Sequence, residues 1–226
     1  MKVLDIEPPT RAQMAQLLER YAPLRPVPLC PELRAHYAHS LIEVWEAAER
    51  LAGRPLPAPF WAYPWAGGIA LARVLLDQPE LARGKRVLDF GAGGGVAAIA
   101  AAHAGAARSV ANDIDGAALL VCRIAASAHG VRVDTLHADV CADPARVEQF
   151  DVVLCSDLCY ERHETPRQKR LLARARRAGA EVIIADAGRT YFDPAGMELL
   201  AEFLVPVPAD LEGADLRRAR VFRMNG

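Results

Sequence analysis

VLDFGAGGG, residues 87–95, runs from strand-forming apolar residues into glycine and then into the alanine-rich stretch that follows Val96. A strand that turns on glycine into a helix is the entrance nucleotide-type cofactors use in α/β proteins. Gly91, Gly93 and Gly95 there admit a ligand closer to the backbone than a Cβ would allow. Taken alone the turn decides little, because many strand-to-helix connections use glycine only to reverse the chain. The flanking sequence supplies the rest. RVLDFG (86–91), SVANDID (109–115), VDTLHAD (133–139), FDVVLCSD (150–157) and EVIIADA (181–187) are short apolar runs separated by helical segments. Such alternation predicts an α/β fold with a parallel sheet covered on both faces. FLVPVP (203–208) and ARVFRM (219–224) are close enough for a terminal antiparallel pair, and their prolines suggest a sheet edge.

Upstream the pattern differs. Ten of the sixteen prolines lie in the first 64 residues, which predicts helices joined by stiff turns. Thr10 is placed to cap a helix through Tyr21. Pro31 suits the first turn of a second helix over 32–52, with Leu33, Tyr37, Leu41, Val44 and Ala48 on one face, and PLPAP (55–59) ends it. The chain thus divides into a helical, proline-rich arm over 1–64 and a cofactor-binding domain over 65–226.

A net charge of −1 and an isoelectric point near 6.6 lack the basic footprint of a nucleic-acid binder, and 52% hydrophobic residues suffice for one core. Five cysteines without CxxC or His-Cys spacing argue against a disulfide framework and against a zinc site. With no charged-then-apolar leader at Met1 and no apolar run of bilayer length, the expectation is a soluble, cytoplasmic monomer that binds neither membrane nor nucleic acid.

Asp89 narrows the cofactor. Two residues before the first glycine, its carboxylate would repel the pyrophosphate of a dinucleotide, and the dinucleotide fingerprint wants glycine or alanine where this chain has Val96. S-adenosylmethionine has an ammonium and a sulfonium and no phosphate, so a carboxylate here stabilises it by charge-assisted hydrogen bonding. Asp113 ends the next strand, where an acid meets ribose hydroxyls, and Asp115 caps the following helix unless the two exchange roles. Asp139 either accepts from the adenine amino group or is a plain turn residue. The fourth strand ends in SDLCYE (156–161), at the sheet edge where α/β ligands bind. Ser156 joins the cofactor set. Asp157 and Tyr160 are the catalytic candidates, or else a helix cap and a packed ring, and Glu161 is placed to meet the acceptor. Leu158 and Cys159 stand where base-methylating enzymes have Pro-Pro, which argues against DNA-adenine methylation.

From Trp65 onward these residues resemble the seven-strand S-adenosylmethionine methyltransferases. More narrowly, PFWAYPWAGGIALARVLL (59–76), VLDFGAGGG, ANDID, DLCYE and DAGRTYF (186–192) look like the electron transfer flavoprotein β-subunit lysine methyltransferases and their bacterial relatives. CPELRAHYA (30–38) resembles that family's N-terminal arm. The resemblance implies a Rossmann-like seven-strand sheet, mostly parallel with a C-terminal antiparallel pair. It implies metal-free methyl transfer from S-adenosylmethionine to a lysine of a protein such as electron transfer flavoprotein β-subunit. It also implies that Trp65 packs on the cofactor. Trp61 and Tyr63 then line the acceptor's approach, with Trp61 equally suited to the core, and Phe60 is assigned to the core. Asp157 orients the amine more than it acts as a base, and Tyr160 shapes the other side. Ala66 and Ala187 stand where the family usually has proline, departures that leave the proposed chemistry untouched. A small-molecule N-methyltransferase of the same fold and a non-catalytic cofactor-binding regulator stay open as alternatives.

Overall fold

The computed structural model describes residues 9–225. Thr10 caps helix α1 (Arg11–Tyr21): its hydroxyl accepts from the Gln13 amide, while the Gln13 side chain accepts from the Thr10 amide. The next segment departs from the helix expected over 32–52. Leu24–Val27 (β1) and Cys30–His36 (β2) pair as an antiparallel hairpin, and only Leu41–Ala52 (α2) is helical, capped by the Ser40 hydroxyl rather than started by Pro31. The misreading has a physical cause. Leu33 and Tyr37 are four residues apart, and positions i and i+4 share a face in a strand as well as in a helix.

After a short 3-10 turn at Phe60–Ala62 comes helix α3 (Ala66–Asp77). Strand and helix then alternate through β3 (Arg86–Phe90), α4 (Val96–His103), β4 (Arg108–Asp113), α5 (Gly116–Ala128), β5 (Asp134–His137), β6 (Val152–Ser156), α6 (Thr165–Arg177) and β7 (Glu181–Asp186). The chain closes with β8 (Met197–Pro206), the single turn α7 (Ala209–Glu212) and β9 (Leu216–Met224). The seven-stranded sheet has the order β5-β4-β3-β6-β7-β9-β8, parallel through β7, with β9 antiparallel to both of its neighbours. This is the α/β architecture expected from sequence, and β8, which ends on Pro206, is an edge strand.

The period of two along each strand sorts side chains onto two faces. On β3, Val87 joins the core shared with α3, α4 and α5, while Leu88 and Phe90 join the core under α6. Asp89 therefore points to the α4 side. A third core unites the arm with the sheet domain: Met14 and Leu18 of α1, Val44 of α2 and Trp61 pack on Ala118, Leu120 and Val121 of α5. All five cysteines are free thiols. Among the described residues no helix is long and apolar enough to cross a membrane.

Candidate active site

The C-terminal ends of the parallel strands open into a cavity of about 580 Å³, a volume suited to a nucleoside-sized ligand. The glycine loop forms one end. Gly93 has φ +52° and its amide donates to Asp113 Oδ2 at 2.9 Å, so the loop is tied to the end of β4. A Cβ on Gly94 would sit 2.9 Å from the Trp61 carbonyl oxygen, because the turn at 60–62 lies directly on the loop. Carboxylates dominate the charged lining: Asp113, Asp115, Asp139, Asp157, Glu161 and Glu164 share it with one guanidinium, Arg189. Asp139 and Glu164 are partly neutralised from behind by Arg167, at 2.7 and 2.8 Å. Such a lining favours a cationic ligand and disfavours a phosphorylated one. Together with a loop whose one side chain is the Ala92 methyl, it fits S-adenosylmethionine.

Asp89 is not part of that lining. It is 2% exposed, and its Oδ2 accepts from the Ala98 amide in the first turn of α4 at 3.0 Å. The expectation of a direct Asp89–cofactor contact is therefore corrected. The α4 N-cap is Gly95, which has no side chain, so a carboxylate from the neighbouring strand serves the helix start instead. Burial pushes the Asp89 carboxyl up to about 7, against the Ala98 hydrogen bond. The acidic character read from the glycine turn is real, but other side chains supply it at the cavity surface.

Gly91, Gly93, Gly95, Asp113, Asp139, Ser156, Trp61, Tyr63, Trp65, Asp157, Tyr160 and Glu161 all border the cavity. Asp113 spends Oδ1 on the Asp115 amide and Oδ2 on Gly93; burial raises its pKa. Asp115 caps α5 by accepting from the Ala117 amide. Asp139 accepts from the Cys141 amide with Oδ1 and pairs with Arg167 through Oδ2, so it acts within the fold as a turn residue as well.

The other end of the cavity is built from side chains. Asp157, in the left-handed region at φ +52°, ends the β6 segment. Its Oδ2 accepts from the Gly67 amide at 2.6 Å, in the first turn of α3, where a Cβ would collide with the carboxylate. Its Oδ1 accepts from the Ala187 amide at 3.0 Å and from Arg189 Nε at 2.9 Å. Both oxygens thus serve the protein's own donors. Ala187 matters to this arrangement, because a proline there would have no N–H to give.

Arg189 also pairs with buried Glu212 of α7 and lies over the Trp65 ring, 5.3 Å from its centroid. Burial opposes its charge, yet the two carboxylates hold its pKa above the usual value. Phe60 is 51% exposed, with its ring 5.9 Å from Trp65 and 6.0 Å from Tyr160; Tyr160 is itself 43% exposed. Trp61 is 5% exposed and belongs to the arm's core, and the hydroxyl of buried Tyr63 accepts from the Tyr37 hydroxyl. Phe60 therefore stands at the surface rather than in the core expected of it, while Trp61, equally suited to core and site, packs in the core with its backbone on the glycine loop. Sequence reasoning also missed Arg189, although it lies in the DAGRTYF stretch, three residues beyond the last buried position of β7.

Comparison with known proteins agrees with this geometry. Residues 87–181 match the methyltransferase domain family. The chain is 33% identical over 176 residues to the electron transfer flavoprotein beta subunit lysine methyltransferase of Danio rerio, a match covering 76% of this chain and 68% of that protein. The Rattus norvegicus protein of the same name is 32% identical over 183 residues, covering 79% and 70%. A T. thermophilus 16S rRNA methyltransferase, solved with AdoMet and guanosine, shares the fold at a TM-score of 0.52 and 19% identity, covering 71% of this chain and 43% of that one. The chain belongs to the family of electron transfer flavoprotein beta subunit lysine methyltransferases, and its cofactor is S-adenosylmethionine.

Proposed function

We propose that this enzyme methylates a lysine side chain of electron transfer flavoprotein β-subunit, acting as a cytoplasmic monomer without a nucleic-acid or membrane partner. One observation carries the acceptor half of this reading: the acid-lined cavity, closed by glycine at one end, opens at the other between Phe60, Trp65 and Tyr160. An acidic lining draws in a cationic side chain, and aromatic faces hold it by cation–π attraction. Family membership supports the named target.

Bound S-adenosylmethionine supplies an electrophilic methyl group on a sulfonium. The protein's task is then alignment, exclusion of water and delivery of a neutral amine. On this reading Gly91, Gly93, Gly95, Asp113, Asp139, Ser156 and Trp65 hold the donor, with Asp113 at its ribose. A free lysine has a pKa of about 10.4, so it arrives protonated. The rings at the opening strip its water, which favours the neutral form, and the guanidinium of Arg189 disfavours a second cation beside it. Tyr160, whose pKa burial raises, stays a phenol and offers its oxygen to the amine. Asp157 acts one step back. It fixes Gly67, Ala187 and Arg189 and thereby shapes the acceptor end. Glu161 at the rim meets the incoming chain. The arm borders the site through Pro57, Phe60 and Trp61, and the domain that follows from residue 65 carries the chemistry.

Incubating the purified enzyme with methyl-labelled S-adenosylmethionine and purified electron transfer flavoprotein, followed by peptide mass spectrometry, tests the proposal. Label is expected on β-subunit lysines. Label confined to small molecules, or to another protein when host lysate is added, overturns the named target.

A further inference from the structure

α6 joins the parallel strands β6 and β7, so it runs against them, away from the strand ends that open into the cavity. Its head is at the site: Glu164 at the N-cap and Gln168 in the first turn both border the cavity. Its thirteen residues, TPRQKRLLARARR, hold five arginines, Lys169 and no acid. Leu171, Leu172 and Ala175 pack into the core, which turns the opposite side outward. Arg167 is held by Asp139 and Glu164, Arg174 by Glu148, and Arg176 donates to the Met224 carbonyl oxygen. Lys169, Arg170 and Arg177 form no ion pair among the described residues, and the two arginines are exposed. Ala173 lies at the centre of this face. On a helix its surface neighbours are the positions three and four away, and these are Lys169, Arg170, Arg176 and Arg177. A methyl ringed by four cations does nothing for the fold, since like charges at that spacing destabilise a helix. The helix dipole favours Arg176 and Arg177, which stand in the last turn, but gives no reason for Lys169 and Arg170.

We propose that the outward face of α6 docks an acidic surface of the protein acceptor and so brings the target lysine to the cavity. The surface there carries two signs, carboxylates in the cavity and cations along the helix that leads from it. Its complement is a lysine with acidic side chains nearby. Gln168 and Arg177 are nine residues apart, about 14 Å of helix, so the partner's acids lie on the order of 20 Å or less from the target nitrogen. A nucleic acid matches less well: phosphates drawn to the helix would also meet Glu161 and Glu164 at its head, which repel them. A second contact away from the chemistry suits a protein acceptor, because the aromatic opening grips only a side chain that every lysine shares. Complementary charge beside it steers the encounter and separates one partner from others. The assignment deepens the proposed function and rests on it.

Fluorescence anisotropy reads docking and methyl transfer reads its consequence. The probes are purified electron transfer flavoprotein, a labelled synthetic peptide with one lysine between runs of glutamate, the same peptide with glutamine for glutamate, and a single-stranded RNA. Wild-type enzyme saturated with S-adenosylhomocysteine is expected to bind the glutamate peptide about tenfold more tightly than the glutamine peptide at low salt, the gap closing as salt rises. In the triple variant Lys169→Gln, Arg170→Gln, Arg177→Gln the two peptides should bind alike. With electron transfer flavoprotein as acceptor, KM of that variant should rise about tenfold, with kcat and S-adenosylhomocysteine affinity unchanged. Glutamine is a helix former close to lysine and arginine, so α6 is kept. A second triple variant, Arg11→Gln, Arg20→Gln, Arg83→Gln, makes the same change of net charge at other exposed positions and should keep the wild-type KM. Equal binding of the two peptides by wild type overturns the proposal. So does an unchanged KM in the α6 variant, or an equal rise in the second variant. RNA that binds wild type more tightly than the glutamate peptide does, and is released by the α6 substitutions, gives the face to nucleic acid and overturns it as well. Absence of label on electron transfer flavoprotein with wild type would overturn the named target, while a persisting difference between the peptides would still support an acidic protein partner.

Discussion

The two ends of the cavity are made by different means. At the glycine end the main chain does the shaping: the Gly93 amide meets Asp113, and the Trp61 carbonyl rests against Gly94. At the aromatic end side chains do it, through the Asp157–Arg189–Glu212 ion pairs and the rings of Phe60, Trp65 and Tyr160. A backbone-built surface fails where a side chain is added against main chain that cannot yield, as at Gly94. A side-chain-built surface can be adjusted one contact at a time, which suits the end that must match a particular acceptor.

Gly94→Val puts the strongest strain on this contrast. Its Cβ would meet main chain of the 60–62 turn, which cannot swing aside as a side chain can, so the turn must lift from the loop. A loss of about 100-fold in kcat/KM is expected, with a parallel loss of S-adenosylhomocysteine affinity by calorimetry. Retained affinity would show the two ends to be less distinct than drawn. Asp157→Ala comes next. It strips an acceptor from Gly67 and Ala187 and half-unpairs Arg189, a loss of about 3 kcal/mol by denaturant unfolding. Adding Arg189→Met should recover part of that by removing the stranded charge. If Asp157→Ala instead leaves stability intact and only stops turnover, the carboxylate touches the acceptor and is more than a positioning group.

Asp89→Asn tests the donor end from beneath. The folded carboxyl titrates near 7 and the unfolded one near 3.8. Between those values the unfolded chain gives up its proton while the native one keeps it, so this residue's contribution to wild-type stability falls as pH rises, by at most about 1.4 kcal/mol per pH unit, and levels off above 7. The variant should therefore gain on wild type from pH 4 to 7 in urea titrations, with S-adenosylhomocysteine affinity unchanged. A large loss of affinity would restore Asp89 to the binding surface. The smallest effect is expected of Phe60→Ala, which takes an exposed ring from the opening: KM for the protein acceptor should rise about fivefold, near 1 kcal/mol, with kcat and melting temperature little altered.

The sheet was legible because its central strands carry short apolar runs that end on glycine or acid, as in RVLDFG, FDVVLCSD and EVIIADA. The arm was not. Its hairpin carries prolines and the Leu33–Tyr37 spacing, which do not separate strand from helix, and its pairing depends on contacts across the chain. At the site, the glycines, Asp113 and the SDLCYE strand end could be found from position alone. Phe60 and Trp61 could not, since a 3-10 turn sends successive side chains about a third of a circle apart and the sequence does not say which one faces inward. Asp89 offered a usable signal that went unread: it shares the strand face of Val87, on the side of α4. Arg189 as the partner of Asp157 joins residues far apart in the chain, and no local pattern announces such a pair.

The greasy side chains of Met14, Leu18, Val44 and Trp61 have their counterpart on α5, at Ala118, Leu120 and Val121. During synthesis the amino-terminal quarter must therefore emerge and wait until roughly the middle of the polypeptide has left the ribosome. The portion translated first is completed late, and a nascent chain stalled before residue 118 would present those side chains uncovered, a natural target for chaperones.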